Sequence, residues 1–219
     1  MQKLKYWVFD LDNTLYPPHA DLFSQVDYKM GVFIEKMFDI SYVDAKKRQK
    51  YFFQKHGTTL RGLMTEHGIE PQEYLNFVHD IDFSVLEPDE GLNEAISSLP
   101  GKKFIYTNAS TSYAKVVLSN IGLSGQFDGY FDIHDAEFLP KPDKRSYHKM
   151  IEKFAIDPKT SVMIEDIAGN LNPAAELGMT TVWVPTNTHW SETDHNEDNV
   201  HHVAPNLATW LKNFTNAAE

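Results

Sequence analysis

Asp10 and Asp12 stand two positions apart, directly after Tyr6-Trp7-Val8-Phe9, a short apolar run of aromatic and β-branched residues. A run of this kind reads as a strand buried on both faces, as in a parallel sheet, with Asp10 where the strand ends. Two other strand-like runs end on groups of similar character. One, at 103–107, closes on Thr107 and is followed by Asn108; the other, at 161–165, closes on Glu165 and is followed by Asp166. Lys141 lies between them in the turn-rich stretch Leu139-Pro140-Lys141-Pro142-Asp143. Doubly wound sheets bind ligands beyond the carboxyl ends of their strands. The carboxylates of Asp10, Asp12, Glu165 and Asp166, with Thr107, Asn108 and the Lys141 ammonium, are therefore expected to share one crevice.

Four carboxylates together repel one another unless a cation or bound protons neutralise them. The donors are hard oxygens, with no histidine in the cluster and no cysteine in the chain, a set that favours Mg²⁺. Magnesium keeps several waters and is held by one or two carboxylates plus substrate phosphate, which points to phosphoryl chemistry. One carboxylate can then act as a covalent nucleophile, and a second, two residues away, as general acid and later general base. Taken singly, each group has an ordinary use. An Asp after a strand caps a helix or turns the chain, and a lone lysine is commonly solvated. The coincidence of several such groups at independent strand ends carries the argument.

The positioning elements follow from periodicity. Leu22, Val26, Met30, Phe33 and Met37 recur at helical spacing within 19–38, and helical segments follow at 42–55, 59–67 and 71–82, separated by Gly57, Gly68 and Pro71. Nothing between 17 and 83 reads as a good strand, so 17–83 is an all-helical insert. After Pro88 strands and helices alternate: a helix at 112–121, a short strand at 131–133, helices at 146–154 and around 173–177, a strand at 181–184, and a helix at 207–214. This alternation predicts an α/β fold, a Rossmann-like parallel sheet core with helices on both faces. The core is formed by 1–16 and 84–219, interrupted by the helical domain 17–83.

Composition bounds the rest. Twenty Lys and Arg against 31 Asp and Glu give a net charge of −11, which argues against a surface for nucleic-acid polymers but not against one small anion. The absence of cysteine excludes disulfides and thiolate chemistry. No apolar run approaches the ~18 residues of a membrane span, and the N-terminus makes a poor signal peptide, so a soluble cytoplasmic protein is expected. His189, His195, His201 and His202 fall in a polar, acidic stretch without zinc-motif spacing, read as a solvated loop. Leu207, Trp210, Leu211 and Phe214 read as a core-facing helical stripe.

Asp10-Leu11-Asp12-Asn13-Thr14 resembles the DxDxT signature of the haloacid dehalogenase (HAD) superfamily. The other signatures follow in the family's order: Thr107 after a strand, Lys141 in Lys-Pro-Asp, and Glu165-Asp166 with Asn170 in EDxxxN. The resemblance covers about 1–16 and 84–205. It implies that Asp10 attacks phosphorus to form an aspartyl-phosphate, while Asp12 protonates the leaving oxygen and then activates water. It further implies Mg²⁺ on the Asp10 carboxylate, the Asp12 main-chain carbonyl and Asp166, with Glu165 helping through water and Asn170 supporting. Thr107, Asn108 and Lys141 would hold the phosphoryl oxygens. Dehalogenases of this family typically lack the second Asp, so Asp12 favours phosphate over halide. An insert directly after the first motif implies a helical cap of the C1 type.

Within the insert, the stretches 56–64 and 74–82 resemble the cap of the pyrimidine 5′-nucleotidase branch. That implies a Mg²⁺-dependent nucleotidase acting on a pyrimidine nucleoside 5′-monophosphate such as UMP or CMP. Arg61 could reach phosphate, ribose or base, or equally cap a helix or pair with a carboxylate. Tyr16 is a candidate substrate contact near the site mouth, whereas Tyr74, Phe77 and Val78 read as cap core. The alternatives are a phosphatase or phosphomutase on sugar phosphates or phosphoglycolate, and, in another class, a phosphoacceptor signalling module like a receiver domain. The DxD spacing, the chain length and the large insert argue against the last.

Overall fold

The computed structural model describes residues 4–188 and 190–216. Among them the sheet has six strands, all parallel: β1 (Tyr6–Phe9), β2 (Lys102–Tyr106), β3 (Gly129–Phe131), β4 (Ser161–Glu165), β5 (Thr180–Trp183) and β6 (His202–Val203). Their spatial order is β3-β2-β1-β4-β5-β6. The chain starts in the middle and winds outward in both directions, so β1 lies between β2 and β4. The register aligns Phe9 with Ile105 on one side and with Ile164 on the other. Asp10 therefore emerges level with Tyr106 and Glu165.

Alternate residues of each strand face opposite sides, and two apolar clusters result. Trp7, Phe9, Ile105, Val162 and Ile164 pack with α5 (Glu90–Ser98), α6 (Thr111–Asn120) and α9 (Leu207–Asn216). Val8, Phe104, Tyr106 and Met163 pack with α7 (Lys144–Phe154) and α8 (Ala168–Glu176). The 207–214 stripe is core, as its spacing predicts: Leu207 and Leu211 are buried.

Between β1 and α5 the chain forms α1 (Leu22–Phe38), α2 (Tyr42–His56), α3 (Thr59–His67) and α4 (Pro71–Val78). Local signals start α2, α3 and α4: Ser41 accepts from the Asp44 amide, Thr58 accepts from the Arg61 amide, and Pro71 opens α4. At Gly62 a Cβ would stand 2.6 Å from the Phe52 side chain, so the α2–α3 contact requires a residue without one. Leu22, Val26, Ile34, Phe52, Leu63 and Tyr74 join the same apolar cluster as Phe9.

The differences from the sequence reading have local causes. The fourth helix stops at Val78 rather than 82: His79 closes it with its amide on the Leu75 carbonyl, and Asp82 starts a separate 3₁₀ turn at Phe83–Val85 by accepting from the Ser84 amide. The expected strand at 131–133 lies instead at Gly129–Phe131. The Asp132 carboxylate turns the chain there by accepting from the amides of Thr111, His134 and Asp135. The sequence pattern gives no sign of α5, capped by Asp89 on the Leu92 amide, of the two-residue edge strand β6, or of the short 3₁₀ turns Pro158–Thr160 and Glu197–Asn199. Among the described residues no helix is long and apolar enough to cross a membrane.

Candidate active site

The carboxyl ends of β1, β2 and β4 bring the sequence-derived residues together. Lys141, from the loop before α7, reaches all three ends at once. Its Nζ donates to Asp10 Oδ1 at 2.6 Å, to Glu165 Oε2 at 2.5 Å and to the Tyr106 carbonyl at 3.1 Å. Asn108 holds that loop in place: its Oδ1 accepts from the Lys141 amide at 2.8 Å, and its Nδ2 donates to the Lys141 carbonyl at 3.5 Å. Asn108 thus spends its side chain on the lysine's backbone. Thr107 is buried, and its hydroxyl accepts from the Ala109 amide at 3.0 Å, which leaves the O–H itself as a donor. Thr14, the last residue of DxDxT, donates to Asp10 Oδ2 at 2.9 Å.

Asp10, Glu165 and Asp166 each offer a carboxylate oxygen within 4.8 Å of the others, and all three are buried. Against three carboxylates stands one ammonium, so two formal negative charges lack a partner. Asp166 Oδ2 is buried with no hydrogen-bond partner, a costly state for a carboxylate. Burial first, and then the charges of Glu165 and Asp10, push the Asp166 carboxyl well above its usual range. Burial and Glu165 likewise push Asp10 up to about 7, against the pull of Lys141. Burial alone would lower Lys141, but the Asp10 and Glu165 carboxylates raise it, so it stays charged. An orphaned buried oxygen among hard donors carrying two surplus charges fits a divalent cation of the Mg²⁺ type.

The backbone of this cluster is held from a segment read as solvated loop. Ser191 Oγ and Trp183 Nε1 both donate to the Asp166 carbonyl, at 2.8 and 2.9 Å. The Ala168 and Gly169 amides donate to the carbonyls of Ser191 and Thr193. At Gly169 a Cβ would lie 2.6 Å from the Thr193 carbonyl oxygen. The 188–202 stretch is therefore partly structural, with Ser191 fully buried. His201 Nδ1 pairs with Thr181, and the His195 ring lies beside Trp183; His189 lies outside the described residues. Asn170 sits in the first turn of α8, where its carbonyl accepts from the Tyr147 hydroxyl.

Asp12 is half-buried and differently placed. Its Oδ1 accepts from Tyr16 at 2.5 Å and from Tyr113 at 2.8 Å. Burial raises the Asp12 carboxyl, while the two phenol hydrogen bonds oppose that shift. Tyr113 was not singled out from sequence; its only signal there is an aromatic residue in the first turn of α6, just past Thr107. Its ring stacks on His79, the residue closing α4, at 4.2 Å. The other cap candidate, Arg61, donates through Nη1 to the Phe138 carbonyl at 3.0 Å.

A parallel sheet with acidic groups on adjacent strand ends, one buried lysine among them and a helical unit inserted after the first strand defines a hydrolase of the type inferred from DxDxT. A family model of haloacid dehalogenase-like hydrolases matches residues 4–178, and the chain belongs to that family. It is 32% identical over 101 residues to enolase-phosphatase E1 of Xylella fastidiosa, a match covering 42% of each chain. The chain spans about half or less of the length of the curated enolase-phosphatases it matches. Among solved structures it resembles a HAD phosphatase from Thermococcus onnurineus (TM-score 0.64, 18% identity, covering 96% of this chain and 98% of that one). It also resembles L-2-haloacid dehalogenase from Xanthobacter autotrophicus (TM-score 0.62, 16% identity, covering 97% and 98%). The phosphatases named among these relatives are not described as nucleotidases.

Proposed function

We propose that this protein is a Mg²⁺-dependent phosphatase that hydrolyses small phosphate monoesters through an aspartyl-phosphate on Asp10. The observation that carries this reading is the buried cluster of Asp10, Glu165 and Asp166 around Lys141, with Asp12 two residues beyond the nucleophile. Asp10, Asp166 and the Asp12 main-chain carbonyl would hold the metal, with Glu165 assisting through water. Bound there, Mg²⁺ would supply positive charge against the phosphoryl oxygens and lower the barrier to an anionic substrate's approach.

In the first half-reaction an Asp10 carboxylate oxygen bonds to phosphorus as the ester P–O bond breaks. Asp12, as the acid, gives its proton to the departing oxygen, and an alcohol leaves. In the second half-reaction Asp12, now a carboxylate, takes a proton from water as that water attacks phosphorus. The Asp10 O–P bond breaks and inorganic phosphate is released. Lys141 and the Thr107 hydroxyl stabilise charge on the transferring group.

For the substrate, the likeness to enolase-phosphatase and the position of Arg61 support a small phosphorylated metabolite of sugar-phosphate type over a pyrimidine nucleotide. The Arg61 guanidinium bonds the protein's own backbone, so the nucleotidase reading rests on the cap resemblance alone. We read the four-helix unit as a lid over the strand ends. The test is a phosphate-release screen over sugar phosphates, phosphoglycolate and nucleoside monophosphates, with and without Mg²⁺. Metal-dependent release from sugar-phosphate-type esters is expected. A preference for UMP or CMP would restore the nucleotidase reading. Isomerisation without release would make the protein a mutase, and a stable phosphoprotein without turnover a signalling module.

A further inference from the structure

Two phenol hydroxyls, from Tyr16 and Tyr113, converge on one oxygen of Asp12. Tyr16 donates to Oδ1 at 2.5 Å and Tyr113 donates to the same atom at 2.8 Å. Both rings are buried, so neither hydroxyl has bulk water as an alternative partner. Among the described residues no protein donor is recorded on Oδ2. The asymmetry has a chemical consequence. An oxygen already accepting two O–H bonds has its lone pairs engaged, so a proton placed there would displace a donor. The other oxygen carries no such cost.

We propose that Tyr16 and Tyr113 are positioning residues that fix the Asp12 carboxyl, so that Oδ2 alone carries the proton exchanged with the substrate. The inference rests on the phosphatase reading above, in which Asp12 is the general acid and base. In that reading Oδ2–H gives its proton to the leaving oxygen as the ester bond breaks, and Oδ2 later takes a proton from the attacking water. Oδ1 stays an acceptor throughout, and the carboxyl cannot rotate to exchange its two oxygens without breaking both phenol bonds.

The two phenols come from different parts of the fold. Tyr16 is the last residue before the helical insert. Tyr113 stands in the first turn of α6, with its ring stacked on His79 at the end of α4 and packed near Phe83. The proton-bearing oxygen of Asp12 is thus set where the insert meets the sheet. Tyr16 acts, in this account, through Asp12 and not as a direct contact to the substrate.

The test compares the full-length Tyr16→Phe and Tyr113→Phe variants, and the pair combined, with Asp12→Asn as reference. Phenylalanine keeps each ring and removes only the hydroxyl. The probes are p-nitrophenyl phosphate, whose leaving group departs without a proton, and phenyl and methyl phosphate, whose leaving groups need one. General acid catalysis is worth about 10²–10⁴-fold, and a misdirected acid should forfeit part of that. We expect kcat on methyl phosphate to fall about 10- to 100-fold in the double variant, with a much smaller loss on p-nitrophenyl phosphate and KM little changed. Binding of inorganic phosphate, followed by calorimetry, should stay near wild type. A crystal structure of the double variant should show the Asp12 carboxyl rotated or in two orientations.

Equal losses on all three esters would overturn the proposal, as would an unrotated Asp12 with an unchanged ratio. If Asp12→Asn shows the leaving-group split and the tyrosine variants do not, the phosphatase reading stands and this inference falls. If the wild type releases phosphate from none of these esters and from none of the sugar phosphates, phosphoglycolate or nucleotides of the screen above, both fall together.

Discussion

Arg61, in α3 of the helical insert, donates from Nη1 to the main-chain carbonyl of Phe138 at 3.0 Å, three residues before Lys141. Glu137 and Phe138 both adopt left-handed backbone conformations, at φ 52° and 58°. Neither is glycine, and each such residue costs roughly 1–3 kcal/mol that its surroundings must offset. The arginine therefore ties the insert to the turn that delivers Lys141 to the strand ends.

Arg61→Ala should consequently impair catalysis without selecting among substrates. A slack Lys141 loop is expected to lower kcat about tenfold, since sub-ångström placement matters to that extent. UMP and p-nitrophenyl phosphate should lose activity in parallel. Steady-state kinetics on both esters decides the point: a loss confined to nucleotides would make Arg61 a substrate contact after all.

Asp10→Asn should abolish turnover while the fold persists. The amide can still accept from Lys141 and Thr14, but it is a far poorer nucleophile than a carboxylate. A drop of at least about 10³-fold in kcat is expected, with an unchanged circular dichroism spectrum. Near wild-type phosphate release would remove Asp10 from the mechanism.

Lys141→Met preserves much of the side-chain volume and deletes the charge. It leaves Asp10 and Glu165 facing one another with no ammonium between them, and breaking a buried pair in this way costs about 3–5 kcal/mol. Urea denaturation near neutral pH, without Mg²⁺, should show that loss as a lower midpoint at an unchanged slope. Activity should be lost as well, and added Mg²⁺ should recover part of the stability but not the turnover.

Asp166 supplies a prediction with a defined pH sign. Burial and neighbouring charge raise Asp10 from 3.8 to about 7 and raise Asp166 as well. Between those limits the folded protein keeps protons that the unfolded chain has lost, so stability falls as pH rises through about 4 to 7. Bound to the proposed site, Mg²⁺ would take the deprotonated carboxylates, and the rise in melting temperature it causes should grow across the same window. Asp166→Asn should suppress the metal response. It should also melt at or slightly above the wild type in EDTA above that window, at ~2–4 °C per kcal/mol recovered, because an amide cannot become an unpartnered buried carboxylate as pH rises. A variant that still responds fully to Mg²⁺ would take Asp166 out of the metal site.

Most of the site was legible before the structure, because its residues lie within a position or two of strand ends. A parallel strand is an apolar run bounded by polar residues, and the winding of the sheet sends those boundaries to one edge. Asp10, Thr107, Glu165 and Asp166 could therefore be grouped from the pattern alone, as could the helical character of 17–83. What the linear order could not show is which groups share a partner. That Asn108 grips the Lys141 backbone, that Arg61 grips Phe138, and that Tyr16 and Tyr113 meet on one oxygen depend on contacts spanning 33, 77 and 101 positions. The same holds for Ser191, whose hydroxyl supports Asp166 from within a stretch that is polar and acidic by composition. Local sequence determines where a strand or helix stops, since propensity and capping act over a few residues. Only the packed chain decides which neighbour a buried hydroxyl or guanidinium finds, because that choice is made by the pairing of groups cut off from water.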